Sequence, residues 1–178
     1  MTKYIAFIRN ILISKEGVTQ KTLVDLFEKN GASNVVSYLS SGNLSFSIEA
    51  SALADFITLI EGKIEQLISR REEVSVRTAA YIQQLMDDNP FQDLDITNTH
   101  EKCITFLPPN CTYDWQFPIT SNNNNLTIFG KNDTEIFSVT RLINNKPGSP
   151  NNVVEATLGV KTVTRSWNII TKILDKMV

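Results

Sequence analysis

The sequence is poor in the residues from which most cofactor and catalytic motifs are built. Its seven glycines, at positions 17, 31, 42, 62, 130, 148 and 159, never fall within ten residues of one another. A phosphate-cradling loop needs closely spaced glycines so that backbone amides can approach the anion, so dinucleotide-binding and Walker loops are both excluded. One histidine, His100, serves the whole chain, which leaves no histidine-rich metal centre. His100 and Cys103 have an H-x-x-C spacing, and Cys111 could add a third zinc ligand. No second motif accompanies them, and the plainer reading is a loop imidazole beside two thiols that pack as small hydrophobes. The serines include no nucleophile-elbow pattern. No metal and no cofactor are expected.

Excess charge of either sign is also missing. Seventeen basic side chains stand against 19 acidic ones, whereas a nucleic-acid binder draws most of its affinity from clustered Lys and Arg. The densest basic pair, Arg70-Arg71, is followed at once by Glu72-Glu73, so nucleic acid is not an expected partner. No stretch approaches the roughly 20 apolar residues that span a bilayer. The apolar run from Tyr4 to Ile13 is interrupted by Arg9-Asn10, and no small-residue cleavage site follows it. A cytoplasmic location with reduced thiols is the resulting expectation.

What is present is ordinary globular chemistry, with 42% hydrophobic and 20% charged residues. Lys3 to Arg9 is a β-rich run. Thr19 is placed to cap a helix whose Leu23, Leu26 and Phe27 share one face, and Gly31 suits its left-handed stop. Asn34–Leu39 and Leu44–Ile48 form a hairpin around Ser40-Ser-Gly-Asn43. Ser51 is placed to cap a helix carrying Leu53, Phe56, Ile57, Ile60, Ile64, Leu67 and Ile68 at the helical period. Glu73–Thr78 alternates as a strand. The order β-α-β-β-α-β is the ferredoxin-like unit, an antiparallel sheet with its helices on one face.

Beyond Thr78, a capped short helix ends at Asn89-Pro90. Lys102–Leu107, Leu126–Gly130 and Glu135–Leu142 read as strands, and Asn144–Asn152 as a long turn. Val153–Leu158 is a helix stopped by Gly159, Val160–Thr164 is a last strand, and Ser166 caps a final helix. Cys111–Asn125 shows no clean period. The expected architecture is α+β, two ferredoxin-like repeats over 1–78 and 79–178, the second degraded and extended by a C-terminal helix.

Two places resist a purely structural account. Ser41 and Asn43 are polar side chains at a hairpin tip around a glycine. Arg165 and Asn168 stand at a helix start, where exposed N–H groups attract anions. With Arg9 and Asn10 at the end of the first strand, these are the candidate ligand-binding residues, for a small polar or anionic ligand. The function expected is non-enzymatic binding or regulation, with self-association open. The alternative is an enzyme relying on carboxylates such as Asp87, Asp88, Asp93 and Asp95.

Tyr4-Ile-Ala-Phe-Ile-Arg9, Asn34-Val-Val-Ser-Tyr38 leading to Ser41-Gly-Asn43, Asn89-Pro-Phe91, Leu158-Gly-Val160 and Thr164-Arg-Ser-Trp-Asn168 occur in this order along the chain. In this set the chain resembles the bacterial proteins grouped as domain of unknown function 1697. The resemblance implies two ferredoxin-like repeats and assigns no activity. In that family the first strand typically runs into Arg-Gly-Ile-Asn-Val-Gly-Gly, whereas this chain has Arg9-Asn-Ile-Leu-Ile-Ser-Lys15. Gln is usual in place of Ser40, Asn in place of Ser166, and Thr in place of Ile169. Polar groups of any shared site are therefore partly replaced here.

Overall fold

The computed structural model describes residues 1–15, 17–95 and 97–177. They form two compact units, Met1–Gln84 and Leu85–Val178, with two antiparallel sheets and five α-helices among the described residues.

In the first unit β1 (Thr2–Ile8), α1 (Gln20–Lys29), β2 (Ser33–Tyr38), β3 (Asn43–Ile48), α2 (Leu53–Ile68) and β4 (Val74–Thr78) follow the expected order. The sheet order is β2-β3-β1-β4. Alternation along the strands sends Tyr4, Ala6, Ile8, Leu44, Phe46, Ile48 and Val74 into one core with Leu23 and Phe27 of α1 and Phe56, Ile60 and Ile64 of α2. Its centre is aromatic: Phe27, Phe46 and Phe56 lie 5.3–5.4 Å apart between ring centroids, in the edge-on and tilted contacts that aromatic pairs prefer. On the opposite face Ile5, Phe7, Asn43 and Ser45 are buried as well.

Local signals for the helices hold unevenly. Thr19 and Thr22 form a reciprocal capping box on α1, and Gly31 takes φ +105° just past its end. Ser51 does not cap α2. A 3₁₀ turn over Ala50–Ala52 leads in instead, and Ala52 occupies the cap position with no side-chain bond. Leu67 stays 36% exposed, because it falls at the edge of the stripe defined by Phe56, Ile60 and Ile64. Thr78 does cap α3 (Ala79–Asp88), accepting from the Tyr81 N–H at 3.1 Å. The division between the units falls within α3.

The second unit contains β5 (Glu101–Phe106), β6 (Ile119–Thr120), β7 (Leu126–Lys131), β8 (Glu135–Thr140), α4 (Pro150–Leu158), β9 (Val163–Ser166) and α5 (Trp167–Met177), with sheet order β6-β7-β8-β5-β9. The expected long turn is shorter, because Ser149 caps α4 and Pro150 stands at its first position, where a missing N–H costs nothing. The last strand lies later than expected. Thr162 is fixed to α4 by bonds to Glu155 and Asn151, and pairing begins only at Val163 opposite Phe106. Ser166 therefore ends a strand opposite Cys103, and no hydrogen bond from its side chain caps α5 among the described residues.

Between β5 and β7, where the first unit has α1, the chain runs as an extended strap. Cys111, Tyr113, Trp115, Phe117 and Ile119 pack on the core of Leu107, Leu126, Ile128, Ile136 and Val154, while Thr112, Asp114, Gln116 and Pro118 face solvent. Tyr113 and Trp115 meet at 4.8 Å, and Lys131 lies 4.3 Å from the Tyr113 ring centroid. A strict period of two is present over these residues, so the segment is patterned, contrary to the expectation of none. Trp115→Ala should therefore lower unfolding stability by about 2–3 kcal/mol, below a full core truncation because Trp115 is half-buried. Asp114→Ala and Gln116→Ala should change it by less than about 0.5 kcal/mol. Urea denaturation of the three variants checks this, and equal losses at 114 and 115 would contradict the alternation.

Candidate functional site

Arg9 and Asn10 converge on a buried carboxylate. Arg9 Nη1 donates to Glu72 Oε2 at 2.8 Å, Asn10 Nδ2 donates to Oε1 at 3.3 Å, and Arg70 Nε donates to the same oxygen at 2.9 Å. Arg70 also reaches the Asn10 carbonyl at 2.8 Å. Glu72 is 3% exposed. Burial pushes its carboxyl up, but the bonds from Arg9, Arg70 and Asn10 with the Arg9 charge outweigh it, and the pKa falls below the ordinary glutamate value. The Arg70-Arg71-Glu72-Glu73 run, which reads in sequence as a neutralised basic pair, supplies the centre of this cluster.

Ser41 and Asn43 face each other. Asn43 Nδ2 donates to Ser41 Oγ at 3.0 Å and to the Tyr38 carbonyl at 3.3 Å, and Asn43 is fully buried. Gly42 between them has φ +65°, and a Cβ there would lie 3.1 Å from the Cβ atoms of Ile8 and Ile11. Its carbonyl accepts from the Ile8 N–H at 2.8 Å. The four first-unit candidates thus lie at one end of one sheet, and their hydrogen bonds close the hairpin and the β1 exit.

Asn10 and Ser14 stand where the resembling family carries glycine, and both keep positive φ, +48° and +73°. Both residues thus take the left-handed backbone that glycine adopts most readily. Ser14→Gly should raise stability by about 0.5–1 kcal/mol, the left-handed strain exceeding the entropy added to the unfolded chain; thermal unfolding measures it.

In the second unit the two candidates part company. Arg165 is 8% exposed, its Nη1 donates to the Thr164 carbonyl at 2.9 Å, and burial pulls its pKa down to about 10. It remains a cation at neutral pH. Register gives it a counterpart: Arg165 stands opposite Ile104 as Arg77 stands opposite Ile5, and Arg77 Nη1 likewise donates to the preceding carbonyl at 2.9 Å. Arg77-Thr78 before α3 and Arg165-Ser166 before α5 are the sequence trace of that equivalence. Asn168, by contrast, is exposed. It lines a cleft of about 170 Å³ built by residues 99–102 and 166–168, which brings His100 and Lys102 beside the first turn of α5.

Cys103 offers no reactive thiolate. Cys103 is buried, and burial followed by the Glu101 charge pushes its pKa up to about 12. Among the described residues no group of three or more His, Cys, Asp and Glu side chains is gathered as a metal ion would require.

Glu72→Gln should destabilise the protein by about 2–3 kcal/mol at pH 7, since two guanidinium groups lose a buried partner. The folded pKa of Glu72 is depressed, so its contribution is complete above the unfolded value near 4.3 and is lost as pH falls through the folded one. The gap between variant and wild type should therefore close below about pH 4 in urea denaturation at several pH values.

A model of the family described as protein of unknown function (DUF1697) matches residues 1–137. Of the resembling motifs, Leu158-Gly-Val160 and Thr164–Asn168 lie beyond that span. Among solved structures, a conserved bacterial protein from Streptococcus pneumoniae is similar at TM-score 0.64 and 18% sequence identity, covering 99% of this chain and 98% of that chain. A likeness at that identity concerns the fold alone. No curated protein matches the chain. The chain belongs to the DUF1697 family of proteins of unknown function.

Proposed function

We propose that this protein is a non-enzymatic binding or regulatory protein for a small polar or anionic ligand. The observation that carries the reading is the cleft in which Asn168 and Lys102 flank the start of α5. Exposed N–H groups and the helix dipole favour negative charge there. Arg9, Asn10, Ser41 and Asn43, proposed from sequence as part of the same site, have a second role in closing the first-unit sheet, and Arg165 is buried. Asn168 is the candidate that solvent reaches.

The units are read as ferredoxin-like repeats over 1–78 and 79–178. In support, β7-β8-β5-β9 repeats the order β2-β3-β1-β4, with β6 added at the edge. A cytoplasmic setting suits the inert, buried Cys103. The enzymatic alternative is favoured by one feature, Glu61, whose pKa is raised by burial and by Glu73. It ranks second because Glu61 Oε1 accepts from the Val74 N–H at 3.0 Å and so ties α2 to β4.

A thermal-shift screen against small metabolites tests the binding reading. A ligand at 100 times its Kd adds about 2.7 kcal/mol of stability. The shift should vanish in Asn168→Ala and persist in Ser41→Ala. The reverse pattern would move the site to the first unit, and the absence of any stabilising compound would remove the reading.

A further inference from the structure

A second cleft lies within the first unit, and none of the candidate polar residues lines it. Its volume of about 390 Å³ falls within the roughly 300–1,000 Å³ of ordinary small-ligand sites. Three pieces of the fold build it. Asn30 and Gly31 follow α1, Ile48 and Glu49 stand at the end of β3, and α2 presents one flank. That flank is Ala52, Asp55, Phe56 and Leu59, spaced three and four apart and so side by side on the helix surface. Ile48 and Phe56 are almost wholly buried and form an apolar floor, while Leu59 is an apolar wall left 45% exposed.

The side-chain charge on this cleft has one sign. Glu49 and Asp55 line it, and no Lys, Arg or His does. Asp55 makes no hydrogen bond or ion pair among the described residues. Glu49 meets the Met1 ammonium at 3.1 Å with both groups more than half exposed, and exposed pairs of this kind contribute little. An apolar pocket with a few polar groups at its margin is the usual form of a small-molecule site, the polar groups fixing the ligand's orientation.

We infer that this cleft binds a small organic ammonium ion with an apolar body, the hydrocarbon lying on Ile48, Phe56 and Leu59 and the ammonium beside Asp55. A carboxylate ligand would set like charge against Glu49 and Asp55, and an uncharged one would gain nothing from either. This site is separate from the cleft beside α5 and prefers the opposite charge, so neither reading depends on the other. Asp55 also stands in the first turn of α2, where a carboxylate complements the helix dipole, and the test separates the two roles.

Hexylammonium, hexanol and hexanoate are titrated separately into the ¹⁵N-labelled full chain at pH 7 and constant ionic strength. Saturable shifts of the Gly31, Ala52 and Leu59 amides are expected with hexylammonium. Its affinity should exceed that of hexanol about three- to fivefold, the worth of one exposed ion pair, and hexanoate should bind weakest. Asp55→Asn should bring hexylammonium down to the affinity of hexanol and leave hexanol binding unchanged. A carboxylate serving only the α2 dipole would alter both affinities or neither. Glu49→Gln, which leaves the first turn of α2 untouched, should lower the same preference by a smaller factor, because the Met1 ammonium competes for Glu49. Absence of saturable shifts at these amides with hexylammonium, equal affinity for hexylammonium and hexanoate, or an amine preference that both variants leave intact overturns the inference. Shifts of the same amides on concentrating the protein alone would give the surface to a second copy of the chain and overturn it as well.

Discussion

The antiparallel register of two central strands organises everything else. β1 holds β3 on one side and β4 on the other, and β5 holds β8 and β9 in the same way. Since side chains alternate, one residue of slippage would turn each strand's core set to the wrong face. The register puts Tyr4 opposite Phe46 and so assembles the aromatic core, and it brings Asn43 opposite Phe7, at the end where the hairpin tip meets the β1 exit. It also stations Arg77 and Arg165 at equivalent places, each near the end of a strand that leads into a helix. That equivalence is set by backbone pairing, and its trace in the sequence is only the Arg before each helix.

The candidate polar groups of the two units sit in different surroundings. In the first, the cost of burying Glu72 is offset by two guanidinium groups and an amide, so the cluster has little capacity left for a ligand. In the second, Thr99 Oγ1 is buried without a protein partner, and Asn168 stays open to solvent. A fully satisfied network confers rigidity, and an unsatisfied one is where a ligand gains most. The physical contrast therefore favours recognition in the second unit even though sequence spreads the candidates over both.

Elements with a local cause are legible in the sequence. Thr19, Gly31, Thr78 and Gly159 mark helix ends through capping and left-handed chemistry, and Phe56, Ile60 and Ile64 mark a core face through their period. Ser51 and Ser166 mislead, because a serine before an apolar run satisfies the capping pattern whether or not tertiary structure uses it. Strand pairing with Cys103 claims Ser166. The strap fits neither a helix nor a hairpin pattern, although Cys111, Tyr113, Trp115, Phe117 and Ile119 alternate without a break. Glu72 is not legible as a site because its partners Arg9 and Asn10 lie more than 60 positions away in sequence. The loop after Arg9 lacks glycine at Asn10 and Ser14, and both residues adopt the left-handed backbone themselves.

The cleft beside α5, and not the arginines of the first unit, is where an oxyanion should bind. Crystals of the protein soaked in perrhenate, a singly charged tetrahedral oxyanion visible by anomalous scattering, test this directly. An anomalous peak is expected beside Asn168 at the start of α5. A peak at Arg9 and Arg70 with none beside Asn168 would contradict it.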